Sequence, residues 1–301
     1  MGEADRYISS GLLMGKDYTG ARILLVHAHP DDETINNGAT MAMYAALGAH
    51  VTLVTCTRGE EGEVLVPELA HLASTHEDGL GKHREGELAD AMAALGIEDF
   101  RFLGAPHAIF RDSGMMGTEP NERPDVFWQA DLDNTTGHLV EIIEEIKPHV
   151  LITYDEIGGY GHPDHIQAHR VAMEAAKRAE WKIPKIYWNT MPKSVIADGM
   201  EKMKALGSDF FGAESVDDLP FAKDDEVVTT LVDGNAYVQA KMDAMAAHRT
   251  QISLDGPFFA LSNNVGLQVW GNEYYTLVHG VPAAPFDDNG RETDLLAGVD
   301  F

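Results

Sequence analysis

The chain has 301 residues, 44% of them hydrophobic and 24% charged, enough for one large α/β domain or two modest ones. Its 22 Lys and Arg stand against 49 Asp and Glu, a formal net charge of -27, and a field of that sign repels nucleic acid and anionic lipid. One cysteine, Cys56, excludes an internal disulfide and a thiolate zinc cluster.

Residues 1–20 carry no long apolar stretch after a basic start, and no segment of the chain reaches transmembrane length. They are expected to form an extension outside the catalytic unit of a cytoplasmic protein. Arg22 to His29 is an apolar run that reads as a strand. Thr34 to Leu47 reads as a helix, with Met41, Tyr44, Ala45 and Leu47 sharing an apolar side and Gly48 ending it. His50 to Thr57 is a second strand, followed by the polar loop RGEEGEVLVPE. Leu88, Ala91, Met92 and Leu95 recur at helical spacing, predicting a helix from Gly81 to Leu95 that closes at Gly96. Phe100 to Leu103 is a short strand. Leu139, Ile142, Ile143 and Ile146 mark a helix stopped near Pro148, and Val150 to Tyr154 is the next strand.

The later chain is less periodic. KIYWNT and Glu226 to Asp233 read as strands, Glu201 to Leu206 and Ala240 to Thr250 as helices, and YYTLVHG as a short apolar run. Strands alternating with helices of this length predict an α/β fold: a mostly parallel, Rossmann-like sheet flanked by helices, with a smaller mixed C-terminal region. The expected division is an extension over 1–20, a Rossmann-like catalytic region over 21–183, and a mixed α/β region over 184–301 that completes the pocket.

In open sheets of this kind the ligand lies beyond the carboxyl ends of the strands. Three polar motifs fall there: HAHPDDE after the first strand, RGEEGEV after the second, and YDEIGGYGHPDH after the strand HVLITY. Acids at a helix entry are commonly caps, because unpaired backbone amides favour a negative side chain. Two adjacent carboxylates, Asp31 and Asp32, point apart at a turn, so one can ligate a metal beside His29 while the other stays free. The second motif repeats this chemistry in His162, Pro163, Asp164 and His165. Two histidines and a carboxylate suit an open catalytic metal site, with zinc leading and iron(II) also accommodated.

The intervening loops offer Glu60, Glu61, Glu63, Arg84, Arg111, Asp112 and Met115. Carboxylates with one or two arginines, and no phosphate-cradling loop, suit a neutral polyhydroxylated ligand. There is no GxGxxG, Walker loop or GxSxG.

HAHPDDE paired with YGHPDH resembles the LmbE or PIG-L family of metal-dependent N-deacetylases. GEEGEV, RDSGM and FALSNN narrow the likeness to the mycothiol-pathway branch, which deacetylates N-acetyl-glucosaminyl-inositol. The likeness spans roughly Arg22 to Gly280. It implies one Zn2+ per chain, Fe2+ being the alternative, held by His29, Asp32 and His165. It implies Asp31 as general base, His162 as an electrophilic or acid group steadied by Asp164, and Tyr160 as donor to the oxyanion. Glu63, Arg84, Asp112 and Met115 match substrate-side positions around the sugar and inositol. The implied partner is a small amino-sugar inositol substrate, with no nucleic acid and no membrane; self-association into a homo-oligomer is left open.

Three other readings compete. The mycothiol S-conjugate amidases are similar, but their pattern carries a Lys-Gly pair after DDE where this chain has Ile35-Asn36-Asn37-Gly38. A deacetylase of another N-acetylglucosaminide is the second. A metal- or sugar-binding module without catalysis is the third; such a module has no need of a non-ligating carboxylate at Asp31.

Overall fold

The structure, a computed structural model, describes residues 15–205, 213–253 and 271–301. β1 (Arg22–His27), β2 (His50–Thr55), β3 (Asp99–Phe102), β4 (Val150–Thr153) and β5 (Lys185–Pro192) are joined by parallel pairings in the order β3-β2-β1-β4-β5. Between them run α1 (Asp32–Ala46), α2 (Leu80–Leu95), α3 (Leu132–Ile146) and α4 (Pro163–Arg178). After β5 come α5 (Lys193–Ala205), β6 (Ala222–Lys223), β7 (Thr230–Asp233), α6 (Val238–Ala247) and β8 (Asn272–His279). β8 pairs antiparallel with β5 and β7 with β8, so the C-terminal region extends the same sheet.

Each face of the sheet has its own core. Ile23 and Leu25 of β1 pack with Met41, Tyr44, Leu88, Met92 and Ala244 from α1, α2 and α6. Leu24 and Val26 pack with Leu139, Ile143, Val171 and Ala172 from α3 and α4. Burial on both faces is why β1 reads as a continuous apolar run. Each Leu, Ile, Val or Met among them contributes about 1.5–3 kcal/mol on leaving water.

Several boundaries differ from the sequence reading, for physical reasons. β1 stops at His27 because the chain turns into α1, with Asp31 at a positive φ of 118°. α3 begins at Leu132, well before its apolar stripe, because the Asp131 carboxylate accepts the Asn134 N–H at 2.8 Å and caps a polar first turn. The expected strand from Glu226 is reduced to Thr230–Asp233, since Asp225–Val227 forms a 3-10 turn. The helix seen from Glu201 onward begins eight residues earlier, at Lys193. Leu206, FALSNN and residues 1–14 lie outside the described residues.

Strand order reverses between β1 and β4: β2 and β3 lie to one side, β5 to the other. The two turns leaving β1 and β4 therefore open a crevice between them. These turns carry HPDD and GGYGHPDH.

Candidate metal centre

His29 and Asp32 leave β1 on the turn into α1, and Asp32 is the first residue of that helix. His162 is the N-cap of α4, with Asp164 and His165 in its first turn. The four-residue turn Gly158–Gly161 precedes them. Gly158 has a φ of 63°, and a Cβ there would lie 2.6 Å from that of His165, so only glycine lets the two segments meet.

Three donor atoms converge. His29 Nδ1 lies 3.3 Å from Asp32 Oδ2, His165 Nε2 lies 3.3 Å from His29 Nδ1, and His165 Nε2 lies 3.4 Å from Asp32 Oδ2. Ligands about 2.0–2.2 Å from a tetrahedral zinc stand roughly 3.3–3.6 Å apart. The tautomers fit as well. His165 Nδ1 donates to the Gly158 carbonyl at 3.1 Å, and His29 Nε2 faces Asp164 Oδ2 at 3.2 Å. Each imidazole thereby commits its outer nitrogen to an oxygen and turns the other toward the shared point.

The remaining side chains support these three. The Tyr154 hydroxyl donates to Asp32 Oδ2 at 2.7 Å and accepts the Ala28 N–H at 2.9 Å. Ser113 donates its backbone N–H to Asp164 Oδ2 at 2.9 Å, and its hydroxyl bonds Asp164 Oδ1. Asp112 Oδ1 stands 3.6 Å from His29 Nε2. Two overlapping groups, His29 with His162 and His165, and His29 with Asp112, His162 and Asp164, also bring ligand atoms within 4.8 Å of one another.

The electrostatics suit a cation. Burial pushes the His29 imidazole down, but Asp112, Asp164 and Asp32 outweigh it and hold its pKa well above the usual histidine value. Burial would raise Asp32, yet His165 and His29 hold it well below the carboxylate range. Carboxylates that favour a protonated ring at this point favour a divalent cation there too. The His/Asp cluster is a centre able to hold one.

His162 differs. Burial, with the neighbouring charges of His29 and His165, lowers its pKa to about 3. Its Nδ1 accepts the Asp164 N–H at 3.2 Å, so the proton of the neutral ring sits on Nε2. Asp164 thus touches His162 through its backbone, while its carboxylate serves His29 and Ser113. Tyr160 is 45% exposed, its ring 5.0 Å from that of His165.

The Asp31 carboxylate pairs with Arg84. Its Oδ2 lies 3.2 Å from Arg84 Nη2, and burial raises its pKa to about 6 against the pull of Arg84. Arg84 is buried and also donates to the carbonyls of Gly59, at 2.8 Å, and Pro30. Gly59, with a φ of 68°, makes that possible, since a Cβ would lie 1.8 Å from Arg84 Nη1. Asp112 is buried, and its two oxygens take the N–H groups of Gly114 and Glu61. Glu63 and Met115 are exposed.

Tyr154 and Ser113 support this centre, and the sequence reading assigned neither of them a role. Tyr154 closes an apolar strand and Ser113 sits between residues that drew notice for charge; neither shows a period or spacing that marks it.

An α/β fold with an imidazole–carboxylate centre for a divalent cation, set at the topological switch of its sheet, is the class of protein these features define. Residues 24–176 match the family model described as GlcNAc-PI de-N-acetylase, PIG-L. The chain is 57% identical over 291 residues to 1D-myo-inositol 2-acetamido-2-deoxy-alpha-D-glucopyranoside deacetylase 1 of Catenulispora acidiphila, covering 92% of this chain and 89% of the relative. It is also 57% identical over 291 residues to the deacetylase of the same description from Geodermatophilus obscurus, covering 92% and 98%. The solved N,N'-diacetylchitobiose deacetylase of Pyrococcus horikoshii shares the fold, with a TM-score of 0.54 at 18% identity over 95% of this chain and 97% of that one. The chain belongs to the PIG-L family.

Proposed function

We propose that the protein hydrolyses the acetamide of N-acetyl-glucosaminyl-inositol, releasing acetate and the free amine, as a step of mycothiol biosynthesis. Support comes from two relatives at 57% identity, each described as a deacetylase of this compound and each matched over nearly its whole length. The observation that carries a hydrolytic reading is the division of labour at the β1 turn. Asp32 faces the His29 and His165 nitrogens, while Asp31, its neighbour, pairs with Arg84.

The cation is read as Zn2+, with Fe2+ the alternative, held by His29, Asp32 and His165. When bound it would supply Lewis acidity toward the amide carbonyl and a lowered pKa for water. Asp31 takes the proton of the attacking water, and Arg84 fixes that carboxylate against the Pro30 and Gly59 carbonyls. His162 donates from Nε2 toward the oxygen or nitrogen of the breaking amide, and the Tyr160 hydroxyl donates to the oxygen on which charge develops. The proton held by Asp31 then passes to the departing amine. Asp164 orients His29, and its backbone N–H fixes the His162 tautomer. Arg84 and Asp112 form the inner wall of the sugar site, and Glu63 and Met115 the exposed rim.

Asp31→Asn with the metal content measured tests this reading. Amine release from the acetamide should fall ~10²–10⁴-fold with one cation still bound per chain. Unchanged release removes Asp31 as the base. Among the described residues no helix is long and apolar enough to cross a membrane.

A further inference from the structure

We propose that Glu33 and His248 are positioning residues for the base, a buried pair that locks the Asp31 backbone and so aims its carboxylate. The proposal rests on the reading of Asp31 as the base. Asp31 has φ 118° and ψ -33°, a region that non-glycine residues rarely occupy and that persists only where the surroundings enforce it. Its N–H donates to Glu33 Oε2 at 2.9 Å. The other oxygen, Glu33 Oε1, takes His248 Nε2 at 2.9 Å and the Thr34 hydroxyl at 2.6 Å. The Glu33 carboxylate is therefore divided: one oxygen on the strained turn, the other anchored.

His248 arrives from far away in sequence, as the residue that ends α6. It and Glu33 are both fully buried. Its Nδ1 has no hydrogen-bond partner among the described residues, so Glu33 is the one hydrogen-bond partner of its ring there. The residues after it tie down the other walls of the crevice. Thr250 donates its N–H and hydroxyl to the Glu87 carboxylate on α2 at 2.9 and 2.7 Å, accepts the Leu65 N–H at 2.9 Å, and is followed by Gln251, which donates to the Glu63 carbonyl at 3.1 Å. The end of α6 thus grips α2 and the loops after β1 and β2 together. A polar pair buried at this depth costs desolvation energy that an apolar pair would avoid. Their use here is explained by what Glu33 holds.

Reach separates this role from simple burial. A glutamine side-chain nitrogen falls near the place of His Nε2, whereas an asparagine nitrogen falls near Nδ1 and stops short of Glu33. His248→Gln and His248→Asn would be compared with the parent for kcat, KM and bound metal. The backbone amide of Asp31 would be followed in 15N-aspartate-labelled protein, its resonance identified by its loss in Asp31→Asn. We expect His248→Gln to keep kcat and the Asp31 resonance. We expect His248→Asn to lose kcat at least about tenfold, with KM and metal content kept and the resonance shifted. Equal Asp31 resonances in the two variants, or equal kcat, would overturn the proposal. Should the Asn variant not fold, Glu33→Gln decides: a shifted Asp31 resonance supports the lock and an unshifted one overturns it. Should the parent release no amine from any acetamide, the functional reading fails, and the resonance still decides the lock.

Discussion

Asp164 Oδ2 stands 3.2 Å from His29 Nε2, so one carboxylate fixes which nitrogen of His29 is free to bind a cation. The relationship joins the two motifs, since Asp164 enters with α4 and His29 leaves with β1. Asp164→Asn should weaken metal binding ~10–100-fold, read by competition with a chelating dye. Unchanged affinity would mean that the His29 tautomer is set elsewhere.

Tyr154→Phe removes the hydroxyl that holds Asp32 Oδ2 and accepts the Ala28 N–H. The stranded buried amide should cost about 1–3 kcal/mol of stability in urea unfolding. Metal affinity should fall as well. A variant of full stability and full affinity would show that Asp32 needs no anchor.

Gly59→Ala should displace Arg84, because the new methyl occupies the place of its guanidinium. The expected result is a loss of roughly 1–3 kcal/mol in stability and a drop in kcat/KM, while metal content is kept. Thermal unfolding and metal analysis of one preparation check both.

With Asp31 as the proposed base, the pH profile follows from its surroundings. Burial raises its pKa from 3.8 to about 6, and the Arg84 charge opposes that rise. A base acts deprotonated, so kcat/KM climbs as pH rises through this pKa. A bound cation adds positive charge and lowers it further. The acid limb should therefore fall between 3.8 and about 6, and Arg84→Met should move it upward. Stability carries the opposite sign: the folded state holds more protons than the unfolded chain across that window, so this group's contribution falls as pH rises through it. A limb that moves downward in Arg84→Met contradicts the assignment.

Much of the fold is written in local pattern. β1, β2 and β4 are buried on both faces and read as unbroken apolar runs, and α2 shows its helical period plainly. The turns leaving β1 and β4 could be placed on one sheet edge for the same reason. Where side-chain hydrogen bonding decides, the pattern fails: the Asp131 cap starts α3 ahead of its apolar stripe. The HPDD and GHPDH motifs are legible as chemistry because their residues are close in sequence. Which carboxylate faces which imidazole is not, since the helix entry sends the Asp164 side chain to His29 rather than to its neighbour His162. The Glu33–His248 pair is farther still from local pattern, its members joining only when α6 packs on α1 and α2.

The central claim is tested most directly by released amine. Zinc-loaded protein would be offered N-acetyl-glucosaminyl-inositol, free N-acetylglucosamine and a mycothiol S-conjugate, each with and without chelator. The account predicts the highest kcat/KM on N-acetyl-glucosaminyl-inositol, abolished by the chelator and restored by added metal. Preference for the conjugate or for free N-acetylglucosamine, or release that persists in chelator, would contradict it.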